Sequence, residues 1–248
     1  MRNKKPLPAF TFKKFSSQGI VAAFSDRSFN LGFSAGRKIK INRRNFLRPL
    51  GINYRNLVAA GQVHGAKIIL ANESHKGKGA ASKKSRLEGV DGFITQEKNL
   101  PLSVFTADCL SIFLFDPRNE AIGLVHAGWR GTKKQICAKA VRLMRKKFKT
   151  RPADLIVGLG PCIRRCCYEV GKDFQGFFSS GIVRRNNKTY LDLIANNLRR
   201  LKKCGVKSKN IEDSKICTVC LNKRFFSFRK EGEKAGRMMS VIMLKGDS

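Results

Sequence analysis

Only three histidines occur in this 248-residue sequence: His64, His75 and His126. His64 and His126 each end an apolar segment, in "AAGQVHGAKIIL" and "GLVHAGWRGT", and Cys109 follows Asp108 within a third, "SVFTADCLSIFLF". Two imidazoles and a thiolate leave a tetrahedral ion one open position. That is the donor set of a catalytic rather than a structural zinc site, where a water becomes acidic near neutral pH. The same atoms suit metal-free chemistry, with Cys109 as nucleophile and His126 as its base. They also suit plain burial, because cysteine packs as a small hydrophobe and a core histidine is commonplace. Spacing leaves all three readings open. His75 lies in a polar stretch and is expected in solvent.

The elements that must position these side chains are legible from their periodicity. "VDGFIT", "LPLSVFTADCLSIFLFD", "AIGLVHAGW" and "ADLIVGLG" are β-rich runs, apolar enough for burial on both faces and separated by turn signals such as "DPRNE". "QVHGAKIIL" reads as a strand. A helix is expected from Thr132 to Lys149, with Ile136, Ala140, Leu143, Met144 and Phe148 on one face. "KIKINRRNFLRPLGI" predicts a helix stopped by Pro49. "EVGKDFQGFFSS" and "TYLDLIANNLRRLKKCG" predict two more, the second closed by Gly205. "RFFSFRK" and "RMMSVIML" are expected as closing strands, and "NESHKGKGAASKKSRLEG" as a mobile surface loop. Without an internal repeat or linker, the reading is a single domain over 1–248. Its class is α/β, with several central strands.

Composition bounds the function. Fifty-one Lys and Arg against 17 Asp and Glu give a net charge of +34. Such a field suits a polyanion, or a small phosphate-bearing substrate at less demand on the surface. The cations are spread along the whole chain, and no zinc-finger, RNP or KH signature accompanies them, so nucleic acid is a possible partner but not the favoured one. "MRNKKPLPAF" carries no apolar signal-peptide core, and no apolar run reaches the roughly 18 residues of a membrane span. A cytoplasmic chain with reduced thiols is therefore expected, its eight cysteines notwithstanding.

The series "GIVAAFSDRSFNLG", "QVHG", "DGFIT", "PLSVFTADCLSIFLFDP", "GLVHAGWRGT", "GLGPCIRRCCYEVG", "LDL" and "CTVCLNKRFFSFRKEGEKAGRMMSVIML" resembles the laccase-domain family. Members of that family have been named polyphenol oxidases and purine nucleoside phosphorylases with adenosine deaminase activity. The likeness runs through nearly the whole chain in order, and "TADC" together with "VHAGWRGT" is its most specific part. It implies a compact single domain of α/β (α+β) class with packed mixed β-sheets flanked by helices, and one zinc ion held by His64, Cys109 and His126. It also implies phosphorolysis of adenosine, inosine, guanosine or methylthioadenosine, and hydrolytic deamination of adenosine. In one respect the chain departs from the family: "VAAFSDRSF" is short where a longer Gly- and Ser-rich loop is usual, which bears on substrate preference.

That chemistry suggests roles for further residues. Deamination needs an activated water and a proton shuttle; Asp108 is the nearest acid, or else a residue that orients a ligand. Phosphorolysis needs a cationic clamp, and Arg130 lies just after His126 near a helix start. Asn30 in "FNLG", Tyr168 in "CCYEVG" and Arg237 in "AGRM" are expected to complete the substrate pocket. Asp91 in "VDGF" is either an acid that orients a ligand or a turn former, and the turn is the preferred reading. "CTVC" has metal-ligand spacing, but Cys162, Cys166 and Cys167 supply no second CxxC pair, so reduced thiols are expected there rather than a second zinc. Three histidines are too few for the several coppers of a multicopper site. Two rival functions remain: a cysteine hydrolase using Cys109 and His126 that edits peptidoglycan precursors, and a basic nucleic-acid-binding protein.

Overall fold

The run "LSIFLFD" shows how the layers are built. As the strand Leu110–Asp116 it is buried on both faces, and its alternation sends side chains to two different cores. Phe113 and Phe115 join Leu102, Val104, Ile122, Leu124 and Ile242 between two sheets. Ile112 and Leu114 join Val125, Ile136, Ala140 and Met144 between one sheet and its covering helices. A computed structural model describes residues 10–16, 19–178 and 180–246 of the chain. Most of the N-terminal stretch read above for a signal peptide lies outside them.

Two mixed six-stranded sheets pack face to face. One runs in the order Phe10–Thr11, Ile20–Phe24, Met238–Leu244, Leu102–Thr106, Val58–Gly61, Leu87–Glu88. The other runs Ile211–Asp213, Ile156–Leu159, Leu110–Asp116, Ala121–Ala127, Gly92–Thr95, Ile68–Leu70. The helices Ile136–Phe148 and Leu193–Lys203 cover the outer face of the second sheet. The helix Ile39–Leu47 covers the first, through Phe46 and Leu47 against Ala59, Phe105 and Val241. A small three-stranded sheet, Glu169–Val170, Ile182–Arg185 and Lys188–Leu191, lies to one side. The result is the single α+β domain with packed mixed sheets and flanking helices that the sequence led us to expect. No helix among the described residues is long and apolar enough to cross a membrane.

Several elements differ from expectation, each for a local reason. The apolar run from Leu102 to Asp116 is two strands in two sheets, because Ala107–Asp108–Cys109 breaks it with Asp108 at φ 87°. "QVHGAKIIL" is a loop up to Lys67, with His64 at φ 57°, and only Ile68–Leu70 is strand. The helix after His126 comes in two pieces, Trp129–Lys133 and Ile136–Phe148, separated by Gln135 at φ 61°. "EVGKDFQGFFSS" is a short strand followed by a 3₁₀ turn, Lys172–Gly176. "RFFSFRK" ends in a helical turn, Phe228–Glu231, because the Ser227 side chain accepts the Lys230 N–H and caps it. The Lys-rich stretch from 72 to 89 contains two 3₁₀ turns and is tied down at its middle, where the buried Arg43 donates to the carbonyls of Gly79 and Ala80. His75 within it is half-buried, its ring accepting the Asn72 N–H.

Candidate metal centre and active site

The break at Ala107–Cys109 is where the chain crosses from one sheet to the other, and the candidate site forms at that crossing. Cys109 precedes the first residue of its strand, His126 is the penultimate residue of the neighbouring strand, and His64 comes from the loop after Val58–Gly61. Their ligating atoms all lie within 4.8 Å of one another. The two imidazole rings meet edge to face with centroids 4.9 Å apart. Close approach is possible because residue 128 is glycine: a Cβ there would stand 2.8 Å from Cys109 Sγ and 3.3 Å from the His64 ring.

Asp91 orients this cluster. Its carboxylate, fully buried, takes His126 Nδ1 on Oδ1 at 2.9 Å and the N–H of Gly65 on Oδ2 at 2.7 Å. One side chain thus fixes the His126 ring, leaving Nε2 for the cluster, and also curls the loop that carries His64. Burial alone would push the Asp91 carboxyl up, but the His126 ring and the N–H groups of Gly65 and Val63 hold it below the ordinary carboxylate value. Sequence reasoning weighed Asp91 as an orienting acid but preferred a turn former. The only signal of its role was its position one residue before a buried strand, which many turn formers share.

The electrostatics form one pair. Burial opposes the Cys109 thiolate, yet His126 and then His64 bring its pKa down to about 6. Burial likewise opposes the His126 imidazolium, and the Cys109 thiolate with Asp91 raises it to about 9. The protein therefore pays for a thiolate here even without an ion. Two imidazoles and one thiolate, preorganised and with one nitrogen fixed by a carboxylate, fit a borderline dication such as zinc. A site of several coppers would need more imidazoles than this cluster holds.

The cluster lies in a cavity of about 710 Å³. Phe33, Phe105, Trp129 and Tyr168 line it, with Arg130 and Arg237 among its cations. Arg43 supports two of those walls from behind, its buried guanidinium 4.8 Å from the Phe33 ring centroid and 4.7 Å from that of Phe105.

The remaining sequence candidates take distinct places. Arg130 lies in the first turn of the Trp129–Lys133 helix with its guanidinium over Trp129, 4.7 Å from the ring centroid. That guanidinium makes no hydrogen bond or ion pair among the described residues. Arg237 is on the wall, but its guanidinium already donates to the carbonyls of Ala235 and Gly236. Asn30 stands behind the wall, its Oδ1 accepting the N–H groups of Gly32 and Arg237 and so joining two loops. Tyr168 reaches the cavity, and burial pushes its phenol up, so it stays a hydroxyl. Asp108 lines the cavity too, yet its carboxylate is taken up by three donors: Thr218 Oγ1 at 2.6 Å, Ser227 Oγ at 3.0 Å and the Arg229 N–H at 2.7 Å. That arrangement orders the 218–229 segment around the site and favours positioning over proton transfer.

The family described as multi-copper polyphenol oxidoreductase laccase matches residues 13–245. The chain belongs to that family. Purine nucleoside phosphorylase YlmD of Bacillus subtilis is 32% identical over 98% of this chain and 90% of its own length. The adenosine deaminase RL5 of an unknown prokaryotic organism is 33% identical over 82% of this chain and 80% of its own. The crystal structure of YlmD from Geobacillus stearothermophilus superposes with a TM-score of 0.89 at 30% identity, covering 95% of this chain and 94% of that one. Relatives of this laccase-family chain are thus named as enzymes of nucleosides, and its donor set is that of a single-ion site.

Proposed function

We propose that this laccase-family chain is a zinc-dependent purine nucleoside phosphorylase, acting on adenosine, inosine, guanosine and methylthioadenosine, that also deaminates adenosine. The observation that carries the reading is the His64, Cys109 and His126 cluster at the wall of an aromatic-lined cavity, beside the uncommitted guanidinium of Arg130. The relatives' names point to the same substrate class. When bound by His64, Cys109 and His126, zinc supplies a Lewis acid that lowers the pKa of a water towards about 7.

The chain's own residues do the rest. Phe33 and Phe105 offer apolar ring surface to a purine, and the Tyr168 hydroxyl donates a hydrogen bond to one of its heteroatoms. Arg130 holds inorganic phosphate for attack at the ribose C1′, where the bond to the base breaks as the new C–O bond forms. Asp91 keeps the His126 ring in one orientation throughout. Asp108 acts through the 218–229 segment that it orders, Asn30 through the two loops that it joins, and Arg237 as part of the wall. The setting is the cytoplasm, where thiols stay reduced.

The depressed pKa of Cys109 and its contact with His126 also favour a second reading, a cysteine hydrolase. Incubation with adenosine, with and without phosphate, tests both. Adenine appearing only with phosphate, inosine appearing without it, and both lost on zinc removal are the expected outcome. Full hydrolase activity after chelation, or no product from adenosine in either condition, overturns the nucleoside reading.

A further inference from the structure

The thiols that the sequence leaves as separate reduced residues come together in the fold. Cys166 and Cys167 end the turn that follows the strand Ile156–Leu159; Cys217 and Cys220 bracket the turn after Ile211–Asp213. Since these two strands pair in parallel, their exit loops run side by side. Backbone bonds hold them in step, from Cys162 N–H to the Ile216 carbonyl at 3.3 Å and from Thr218 N–H to the Cys162 carbonyl at 3.1 Å. The four Sγ atoms all lie within 4.8 Å of one another.

We propose that Cys166, Cys167, Cys217 and Cys220 bind one structural zinc ion through four thiolates, separate from the His64, Cys109 and His126 cluster.

The distances decide among the uses of four sulfurs. Ligands about 2.3 Å from a tetrahedral ion stand about 3.8 Å from one another. Cys166 Sγ and Cys220 Sγ are 3.7 Å apart, and Cys167 Sγ and Cys220 Sγ 3.4 Å. A disulfide needs about 2.05 Å, and four sulfurs gathered this tightly enclose one ion rather than several irons and their bridging sulfides. An all-sulfur tetrahedral donor set selects zinc among abundant divalent ions. A nearby cation accommodates the negative charge: Arg185 donates to the Cys166 carbonyl at 3.1 Å. CxxC with an adjacent CC pair is not the usual pair of knuckles, and this is why spacing did not reveal the site.

The site has a position that gives it work to do. Tyr168, on the wall of the catalytic cavity, follows Cys167 directly, and Thr218, which donates to Asp108, follows Cys217. An ion here ties together the two loops that order one side of that cavity. The proposal stands whatever the His64 cluster turns over.

Metal content by mass spectrometry of the protein purified under reducing conditions provides the test. The wild-type chain is expected to carry about two zinc ions, and both the Cys217→Ser/Cys220→Ser and the His64→Ala/His126→Ala variants about one each. Co²⁺ added to the metal-free His64→Ala/His126→Ala variant should bind at about one equivalent with intense thiolate-to-cobalt charge transfer and tetrahedral d–d bands. Equal zinc in wild type and in the Cys217→Ser/Cys220→Ser variant overturns the proposal, as does the absence of that cobalt spectrum. Should the serine variant fail to fold, alkylation of the wild-type protein decides: the four thiols must be protected until chelation. Modification at the same rate before and after chelation, or a disulfide among them in reduced protein, refutes the site.

Discussion

The two sulfur-bearing clusters are opposite solutions to holding a thiolate. At His64, Cys109 and His126 a single thiolate faces two imidazoles, one of them fixed by a buried carboxylate, and the cluster opens on a cavity. At Cys166, Cys167, Cys217 and Cys220 four sulfurs face one another, with a surface arginine beside them. The first cluster is charge-balanced by its own side chains and leaves room for a reactant. In the second, thiols crowd thiols: burial and hydrogen bonding to Cys217 and Cys220 push Cys166 up to about 11. Such a cluster becomes anionic readily only when a dication joins it. The comparison separates a site prepared for chemistry from one that needs an ion to close.

The strongest way to break this contrast is Asp91→Asn. If Asp91 is what prepares the first cluster, its loss should weaken zinc binding there by about ten- to a hundredfold, with nucleoside turnover falling in parallel at limiting zinc. The four-cysteine cluster should keep its affinity. Competition titrations against a chromophoric chelator measure both. Equal weakening of both sites would mean that Asp91 acts through global stability, and the comparison would fail.

Reactivity of the metal-free protein sharpens it further. With Cys109 near 6 and Cys166 near 11, their thiolate fractions at pH 7 differ by about four orders of magnitude, while the lower intrinsic nucleophilicity of the more acidic thiol returns about two of them. Iodoacetamide should therefore modify Cys109 about a hundredfold faster than Cys166, as read by peptide mass spectrometry. The sign follows from the depressed pKa: Cys109 modification stays fast above about 6 and falls about tenfold per pH unit below it. An inflection of Cys109 reactivity near its ordinary value would remove the proposed thiolate–imidazolium pair.

What could be read from the sequence follows the same divide. His64, Cys109 and His126 stand in motifs whose glycine and alanine neighbours make close approach possible, and Gly128 shows why: no larger residue fits against Cys109. An α/β domain with central strands was legible because strands such as Ala121–Ala127 are apolar throughout and the helix face Ile136, Ala140, Met144, Phe148 is periodic, whereas the packing of mixed sheets against each other followed only from the family resemblance. Asp91, by contrast, acts across 35 residues of chain, and nothing local distinguishes a carboxylate that meets an imidazole from one that caps a turn. The four-cysteine cluster depends on the parallel pairing of Ile156–Leu159 with Ile211–Asp213, a long-range contact with no periodic signature. Broken strands were missed for a related reason: Asp108 and His64 adopt left-handed backbone conformations that neither residue type announces.

Arg130 carries the smallest expected effect and the most specific one. Arg229 and Arg237 on the same wall already donate to carbonyls, of Glu169 and of Ala235 and Gly236, whereas Arg130 lies over Trp129 with its donors uncommitted. A guanidinium stacked on an indole keeps its fork free and its plane fixed, which suits bidentate capture of an oxyanion. Arg130→Ala should raise the KM for phosphate about tenfold, equivalent to about 1.4 kcal/mol, while deamination of adenosine, which uses no phosphate, stays within about twofold. Arg130→Lys should recover only part of the loss, since an ammonium supplies the charge without the fork. A parallel fall in both activities would instead assign Arg130 to the packing of Trp129. The closed cluster then serves as the internal control: neither substitution changes the metal content of Cys166, Cys167, Cys217 and Cys220, so any loss belongs to the open site alone.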